Sequence, residues 1–127
     1  MTLRCVIVDD SPTVRGAASD LLEGQGVAVV GLASTGEEAL ALVDERRPDV
    51  VLVDIDLGAE SGFRLARRLS ESVAATTSCV ILISTHDPAD YAHLIEASPA
   101  IGFLPKSDLS ATAIDRLLAL ARSEGRY

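Results

Sequence analysis

The chain has 127 residues, about the size of one domain, and 48% of them are apolar, enough to bury a core without disulfide or metal crosslinks. Its formal net charge is −8 and its aromatic residues are two Tyr and two Phe. This composition argues against direct binding of nucleic acid, for which a basic patch is usual. No apolar run reaches the roughly 18 residues of a membrane span. We therefore expect a single domain over residues 1–127, located in the cytoplasm, with no membrane partner.

Five short apolar runs recur along the chain, and each is continuous rather than alternating with polar residues. Continuous runs rich in Val and Ile are typical of strands that are covered on both faces, as in a parallel sheet. Two of the runs contain the cysteines Cys5 and Cys79, which we expect to be buried free thiols. The predicted strands are residues 5–8, 27–30, 50–53, 79–83 and 100–104.

The stretches between these runs have the signals of helices. Gly24 and Gly26 are suited to the end of the first helix. The predicted helix starts are Ser11-Pro12, the capping box Thr35-Gly36-Glu37-Glu38, and Asp87-Pro88. Apolar residues recur at helical spacing in three stripes: Val14, Ala17, Ala18, Leu21 and Leu22; Ala66, Leu69 and Val73; and Ile114, Leu117, Leu118 and Ala121.

A strand followed by a helix therefore occurs five times in succession. Such alternation predicts an α/β fold with a parallel sheet, helices on both faces and right-handed crossovers. We expect a flavodoxin-like, doubly wound five-stranded sheet of strand order 2-1-3-4-5. The last helix is predicted to end near Arg122, which leaves no room for a second domain in these 127 residues.

Polar side chains follow four of the five predicted strands. The second strand is instead followed by Gly31-Leu32-Ala33, which carry nothing ionisable. The polar strand ends are Asp9-Asp10, Asp54 with Asp56, Ser84-Thr85, and Lys106. Each of these residues alone could be a helix cap or a surface side chain. Because ligands bind beyond the carboxyl ends of the strands in this fold, the four ends together predict one pocket of carboxylates, a hydroxyl and an ammonium.

The chemistry of such a pocket indicates a cation and phosphoryl transfer. Clustered carboxylates repel one another, and all-oxygen ligands favour a hard cation such as Mg²⁺. Apart from His86, just past the fourth strand, the strand ends carry no His, Cys or Met. Zinc and copper are therefore disfavoured. An aspartate that faces Mg²⁺ and Lys106, the one lysine among eleven cationic residues, is suited to attack phosphorus and become an aspartyl phosphate.

These residues resemble the CheY-like receiver domains of two-component response regulators. The matching elements are Asp9-Asp10, the run 50–54, Ile83-Ser84 and Phe103-Leu104-Pro105-Lys106. Their spacing also matches, with 44 residues from Asp10 to Asp54, 30 more to Ser84 and 22 more to Lys106. The resemblance covers essentially the whole chain.

The resemblance implies a role for each matching residue of the acidic pocket. Asp54 corresponds to the phosphoacceptor. Asp9 and Asp10 correspond to residues that hold Mg²⁺ together with the Asp54 carboxylate and the backbone carbonyl of Asp56. Lys106 corresponds to the lysine that pairs with Asp54 and then with the phosphate. The donor would be a sensor histidine kinase, a phosphotransfer protein or a small acyl phosphate, and the domain would catalyse only its own phosphorylation and dephosphorylation.

The resemblance also implies a switch. Ser84 corresponds to a hydroxyl that moves to the phosphoryl group, and Phe103 to an aromatic that rotates in response. The output surface would be formed by the fourth helix, the fifth strand and the fifth helix, and would bind a target protein or a second copy of the chain. Tyr91 and Ile95 would belong to this surface, although both could instead be ordinary core residues of the fourth helix.

Three positions depart from the commonest pattern of the family. Ser107 follows Lys106 where proline is frequent, and Pro105 precedes it. This arrangement resembles receivers of LuxR-type and NarL-type regulators, which usually carry a helix-turn-helix output domain, and none is encoded in these residues. The chain would be a single-domain regulator or a receiver cut from a longer protein. Asp56 and His86 would border the attacking water and set the lifetime of the phosphoryl group.

Three other functions deserve comparison with this one. Residues 51–56 also resemble the motif of haloacid-dehalogenase-like phosphatases, but those usually carry it on the first strand and not the third. A receiver-like binding module that is not regulated by phosphorylation would usually lack an aspartate or the lysine. A nucleotide site is weakly indicated, because Gly24-Gln25-Gly26 lacks a third glycine and lies at a helix end.

Overall fold

The structure is a computed structural model and describes residues 2–72 and 78–125. The main strands are β1 (Arg4–Val8), β2 (Ala28–Ala33), β3 (Val50–Asp54), β4 (Cys79–Ser84) and β5 (Gly102–Pro105). The helices are α1 (Pro12–Gly24), α2 (Gly36–Arg46), α3 (Gly62–Glu71), α4 (Ala92–Ala97) and α5 (Ala111–Ser123). Short 3-10 turns at Pro88–Tyr91 and Lys106–Asp108 precede α4 and follow β5, and a hairpin of Asp56–Leu57 with Glu60–Ser61 joins β3 to α3.

The five main strands form one parallel sheet of order β2-β1-β3-β4-β5. This order confirms the predicted doubly wound fold. Every residue of β3 and β4 is buried, as continuous apolar runs require when helices cover both faces. β2 lies on one side of β1, whereas β3, β4 and β5 follow on the other, so the strand order reverses between β1 and β3. Ligands bind at this position in sheets of this kind.

Alternate residues of each strand contribute to two separate cores, one on each face of the sheet. Val6, Val51 and Leu82 face the core that α2 and α3 cover, with Ala39, Val43, Leu65 and Leu69. Ile7, Leu52 and Ile81 face the core that α1 and α5 cover, with Ala18, Leu22, Ile114 and Leu118. Helices therefore lie on both faces, as predicted. Cys5 and Cys79 are buried free thiols, and burial raises the pKa of these thiols to about 12 and about 11 respectively.

The helix starts follow the predicted caps. The side chains of Ser11 and Thr35 accept hydrogen bonds from the amides of Val14 and Glu38 at the starts of α1 and α2. Asp87 caps the 3-10 turn that precedes α4, rather than α4 itself. Gly26 adopts a φ of +90° after α1, which explains a glycine at that position.

Each strand boundary lies within three residues of the sequence prediction, and the largest differences are at the end of β2 and the start of β5. β2 continues to Ala33, because Gly31, Leu32 and Ala33 still pair with β1 although Gly31 interrupts the apolar run. β5 begins at Gly102 rather than at residue 100, although the amide of Ile101 already donates to Val80 of β4. The helix α5 ends at Ser123, one residue past the predicted end, and Val73 of the predicted third stripe lies outside the described residues. Within residues 2–72 and 78–125, no helix has the length and apolar character needed to cross a bilayer.

Candidate functional site

The strand order brings the four polar strand ends to one edge of the sheet. Asp9 and Asp10 directly follow β1, and Asp54 is the last residue of β3. Ser84 ends β4, and Lys106 follows β5. Since β1, β3, β4 and β5 are neighbours in that order, the side chains that the sequence analysis grouped into one pocket lie at adjacent positions.

Asp54 has a buried carboxylate, and both of its oxygens accept hydrogen bonds. The residue is 5% exposed. Its Oδ1 accepts a hydrogen bond of 3.0 Å from the amide of Asp56, and its Oδ2 accepts one of 3.1 Å from Nζ of Lys106. Burial raises the pKa of Asp54 and the negative charge of Asp9 adds to the rise, while the two hydrogen bonds and the charge of Lys106 oppose it.

Asp9 is fully buried beside Asp54 and also faces Lys106. Its Oδ1 accepts a hydrogen bond of 2.9 Å from the amide of Ser11 at the start of α1. Its Oδ2 lies 2.7 Å from Nζ of Lys106, an ion-pair distance. Burial alone would lower the pKa of Lys106, yet the carboxylates of Asp9 and Asp54 outweigh burial and raise it.

The acidic side chains fit a divalent cation. Asp9, Asp10 and Asp54 each offer one carboxylate oxygen, and the three oxygens lie within 4.8 Å of one another. Asp10 is exposed, so a cation can reach the group from solvent. Two observations favour a hard cation here: the ligands are all oxygen, and both buried carboxylates face the same ammonium, Nζ of Lys106, whose one positive charge does not balance them. This donor set is suited to Mg²⁺.

Asp56 and Gly58 lie beside these carboxylates on the hairpin that follows β3. The side chain of Asp56 is turned back on its own loop, because its Oδ1 accepts a hydrogen bond of 3.2 Å from the amide of Gly58. Gly58 has a φ of +74°, and a Cβ at this glycine would lie 3.3 Å from Oδ2 of Asp10. The hairpin backbone is therefore packed closely against the acidic group, while the Asp56 carboxylate is not one of the three grouped oxygens.

The two proposed switch residues lie on the neighbouring strands β4 and β5. Ser84 is buried, and its hydroxyl oxygen accepts a hydrogen bond of 2.9 Å from the amide of His86. Phe103 is half-buried, pairs with Leu82 across the two strands and packs against the core that α2 and α3 cover. Ser84 thus holds the backbone of the loop that leads towards α4.

Tyr91 and Ile95 are less exposed than an open output surface would make them. Tyr91 and Ile95 are half-buried and pack against the same core as Phe103. The ring of Tyr91 lies between those of Phe63 and His86, with centroid distances of 6.0 and 5.9 Å. The alternative that Tyr91 and Ile95 are core residues of this segment is therefore supported in part.

Sequence reasoning missed three features of the site. Arg15 donates a hydrogen bond of 2.6 Å to the backbone carbonyl of Asp9. Lys106 contacts Asp9 as well as Asp54. Gly62 packs its Cα so closely on the backbone of Asp54 that no side chain fits there. A helical arginine and a glycine after a serine are common in many proteins, so the sequence held no signal for the first and third features.

Comparisons with known proteins identify the family of this chain. A family model described as a response regulator receiver domain matches residues 5–117. An uncharacterized transcriptional regulatory protein of Bacillus subtilis, YxjL, is 29% identical over 126 residues, which are 98% of this chain and 57% of that protein. The chain thus spans little more than half the length of this relative.

Solved structures of response regulators are similar throughout the chain. A LuxR-family two-component response regulator from Aurantimonas sp. SI85-9A1 is 29% identical, with a TM-score of 0.82 over 94% of this chain and 86% of that one. The signal receiver domain of NarL from Mycobacterium tuberculosis is 32% identical, with a TM-score of 0.76 over 95% of this chain and 97% of that one.

The chain belongs to the family of response regulator receiver domains. Receiver domains are the signalling domains of two-component systems, so the acidic pocket lies in a domain that receives signals. The CheY-like fold and the resemblance to LuxR-type and NarL-type receivers, both expected from the sequence, are confirmed.

Proposed function

We propose that Asp54 accepts a phosphoryl group from a sensor histidine kinase, a phosphotransfer protein or a small acyl phosphate. The observation that carries this proposal is the position of the Asp54 carboxylate, at the end of β3, hydrogen-bonded to Lys106 and grouped with Asp9 and Asp10. A nucleophilic carboxylate, a cation and a fixed ammonium are the parts that phosphoryl transfer requires.

In the proposed reaction, an oxygen of Asp54 forms a bond to phosphorus. The bond from phosphorus to the donor atom, a histidine nitrogen or an acyl-phosphate oxygen, breaks, and the donor keeps the electron pair. Lys106 already contacts Asp54 and would then pair with a phosphoryl oxygen. Mg²⁺, held by Asp9, Asp10, Asp54 and the backbone carbonyl of Asp56, would supply positive charge against the transferring oxygens.

The output of the domain would follow from Ser84 and Phe103. The Ser84 hydroxyl would donate a hydrogen bond to a phosphoryl oxygen and give up the one that it accepts from the amide of His86, and Phe103 would turn inward behind it. We propose that these movements alter the surface formed by α4, β5 and α5, which then binds a target protein or a second copy of the chain. Asp56 and His86 would set the lifetime of the aspartyl phosphate.

We also propose that residues 1–127 act as one receiver domain and that this stretch of chain does not itself bind DNA. The net charge of −8 opposes contacts with phosphate backbones. The activities named for longer relatives would belong to the parts of those proteins that this chain does not match. Absence of a salt-sensitive shift of nonspecific DNA in a gel is the expected result.

Intact-mass measurement after incubation with acetyl phosphate and Mg²⁺ tests the phosphoacceptor. The wild type should gain the mass of one phosphoryl group, and Asp54→Asn should gain none. Asp20→Asn, a change at an exposed aspartate of α1, is the matched control and should be labelled like the wild type. Equal labelling of wild type and Asp54→Asn would reject the proposal. Sustained turnover of a phosphate monoester would instead favour the phosphatase alternative.

A further inference from the structure

The carboxylate of Glu60 occupies the N-terminal end of α2. Gly36 is the first residue of that helix and is buried, and a Cβ built on it would lie 2.5 Å from Oε2 of Glu60 and closer still to Oε1. The carboxylate therefore packs directly on the backbone of a residue that has no side chain. A negative charge at this position is favourable because it faces the positive end of the helix dipole.

The same carboxylate is held from the other side by α3. Oε1 of Glu60 lies 3.2 Å from NH1 of Arg68, and the Glu60 side chain is only 23% exposed. One side chain, projecting from the hairpin between β3 and α3, thus contacts the first turn of α2 and the middle of α3. We refer to Gly36, Glu60 and Arg68 as the Glu60 clamp.

The hairpin that carries Glu60 also carries the backbone beside the acidic group. Glu60 pairs with Leu57, and Ser61 pairs with Asp56, in its two short strands. The amide of Asp56 donates to Asp54, and Gly58 at the turn lies against Asp10. A change in the position of Glu60 would therefore displace the backbone that contacts two of the three grouped carboxylates.

We propose that Glu60 is a positioning residue for the divalent-cation site, acting through the hairpin backbone that it fixes between α2 and α3. Among the residues that the structure describes, the ion-pair partner of Glu60 is Arg68 and not one of the three grouped carboxylates. The effect of Glu60 is to hold Asp56 and Gly58 in the arrangement that the cation requires. This inference rests on the proposed function, since it assumes that the acidic group binds Mg²⁺.

A purely structural role for the clamp predicts a different result. An ion pair on a partly exposed surface contributes little to folding, and its loss would shift the unfolding midpoint slightly without changing the affinity for a cation. A positioning role predicts weaker Mg²⁺ binding even when the folded state is as stable as before. The two roles are separated by measuring affinity and stability on the same variants.

Gly36→Ala breaks the clamp from the side of α2 without altering the hairpin sequence. The added Cβ cannot coexist with the Glu60 carboxylate, which is the end of a flexible side chain and moves away, while alanine is a better helix former than glycine. Glu60→Gln removes the charge and keeps the size of the side chain. Gly24→Ala, at the last residue of α1 where a Cβ meets nothing within 4 Å, is the control.

Mg²⁺ affinity is measured by isothermal titration calorimetry with MgCl₂, and stability by thermal unfolding without Mg²⁺. Gly36→Ala and Glu60→Gln should each bind Mg²⁺ about tenfold more weakly, as is usual when a group behind the metal ligands is lost. Gly24→Ala should match the wild type, and Gly36→Ala should unfold at a midpoint no lower than the wild type. Wild-type affinity in either clamp variant would overturn the positioning role. Absence of Mg²⁺ binding by the wild type would instead overturn the metal part of the proposed function.

Discussion

The ammonium of Lys106 lies closer to Asp9 than to Asp54, with Nζ 2.7 Å from Oδ2 of Asp9 and 3.1 Å from Oδ2 of Asp54. One cation therefore faces two buried carboxylates, and the exposed carboxylate of Asp10 stands beside them. This arrangement leaves the group with excess negative charge, which favours binding of a second cation and costs the folded protein stability when that cation is absent.

Lys106→Met is expected to destabilise the domain by about 3 kcal/mol, because it removes the partner of a fully buried charge at Asp9. The raised pKa of Lys106 fixes the sign of the pH dependence. Stabilisation by Lys106 is complete below its ordinary pKa of 10.5 and is lost as the pH rises through the higher pKa of the folded state. Urea unfolding at neutral pH measures the effect. Arg116→Met, at an exposed cation of α5, is the control, and an equal change in both variants would contradict the prediction.

Asp54→Asn is expected to raise the thermal midpoint at pH 7 in buffer without Mg²⁺. Burial raises the pKa of Asp54 in the folded state, so the folded protein binds this proton more tightly than the unfolded chain does. The free energy of unfolding therefore falls as the pH rises from 3.8 through the higher pKa of the folded state. The ionised side chain is thus unfavourable at neutral pH. The advantage of the variant should vanish below pH 3.8, where the carboxyl group is protonated in both states. A midpoint at pH 7 equal to or below that of the wild type would contradict this reasoning.

Asp10→Asn is expected to abolish the stabilisation of the folded state by Mg²⁺. A ligand that binds only the folded state stabilises it by about 2.7 kcal/mol at a concentration 100 times its Kd. The wild type should therefore unfold at a higher temperature with saturating Mg²⁺, and Asp10→Asn should show little or no rise. Asp20→Asn removes the same charge from an exposed site on α1 and should behave like the wild type. A full Mg²⁺ response in Asp10→Asn would place the cation elsewhere.

The edge of the sheet where the pocket lies could be predicted from the sequence because it depends on a simple pattern. Continuous Val and Ile runs predict buried parallel strands, and parallel strands present their carboxyl ends at one edge. The pattern therefore predicts that Asp9, Asp54, Ser84 and Lys106 lie at the same edge of the sheet. The end of β2 was predicted less well, because Gly31 pairs with its neighbour strand through backbone bonds that no side-chain pattern reveals.

The contacts within the pocket could not be predicted in the same way. The closer approach of Lys106 to Asp9 depends on side-chain rotamers and on where the backbone turns after β5. The packing of the Glu60 carboxylate on Gly36 depends on how α2 and the hairpin approach each other, because the two residues are 24 positions apart in the sequence. A glycine at the start of a helix is common, and nothing in it indicates which carboxylate packs on it.

Gly62→Ala is expected to destabilise the domain by roughly 3 kcal/mol and to impair phosphorylation of Asp54. The added Cβ would collide with the carbonyl oxygen of Asp54 and would lie 2.6 Å from Cα of Ile55. Both contacts are with backbone, which cannot move aside as a flexible side chain can, so the strain falls on the β3 end itself. Denaturant unfolding measures the change, with Gly24→Ala as the control. Wild-type stability in Gly62→Ala would refute the close packing of α3 on β3.

The segment between β4 and β5 has the features of an element that can move. The helix α4 has only six residues and none of them is buried. Its loop is held at one end by the hydrogen bond from the amide of His86 to Ser84, and Phe103 on the adjacent strand is only half-buried. Few buried contacts imply a low free energy for local rearrangement. Redirecting the Ser84 hydroxyl towards a phosphoryl group would therefore release this segment first.

Beryllofluoride, a mimic of the aspartyl phosphate, is expected to change amide hydrogen exchange in residues 88–107 and to leave exchange in α2 unchanged. The physical reason is a shift in a pre-existing equilibrium. The mimic favours the state in which the Ser84 hydroxyl donates a hydrogen bond to it and no longer accepts one from the amide of His86. Light scattering in the same buffers tests whether the altered surface of α4, β5 and α5 drives formation of a dimer. Asp54→Asn, which lacks the acceptor carboxylate, should show neither effect. A wild type that stays monomeric, with unchanged exchange in residues 88–107, would reject the proposed switch.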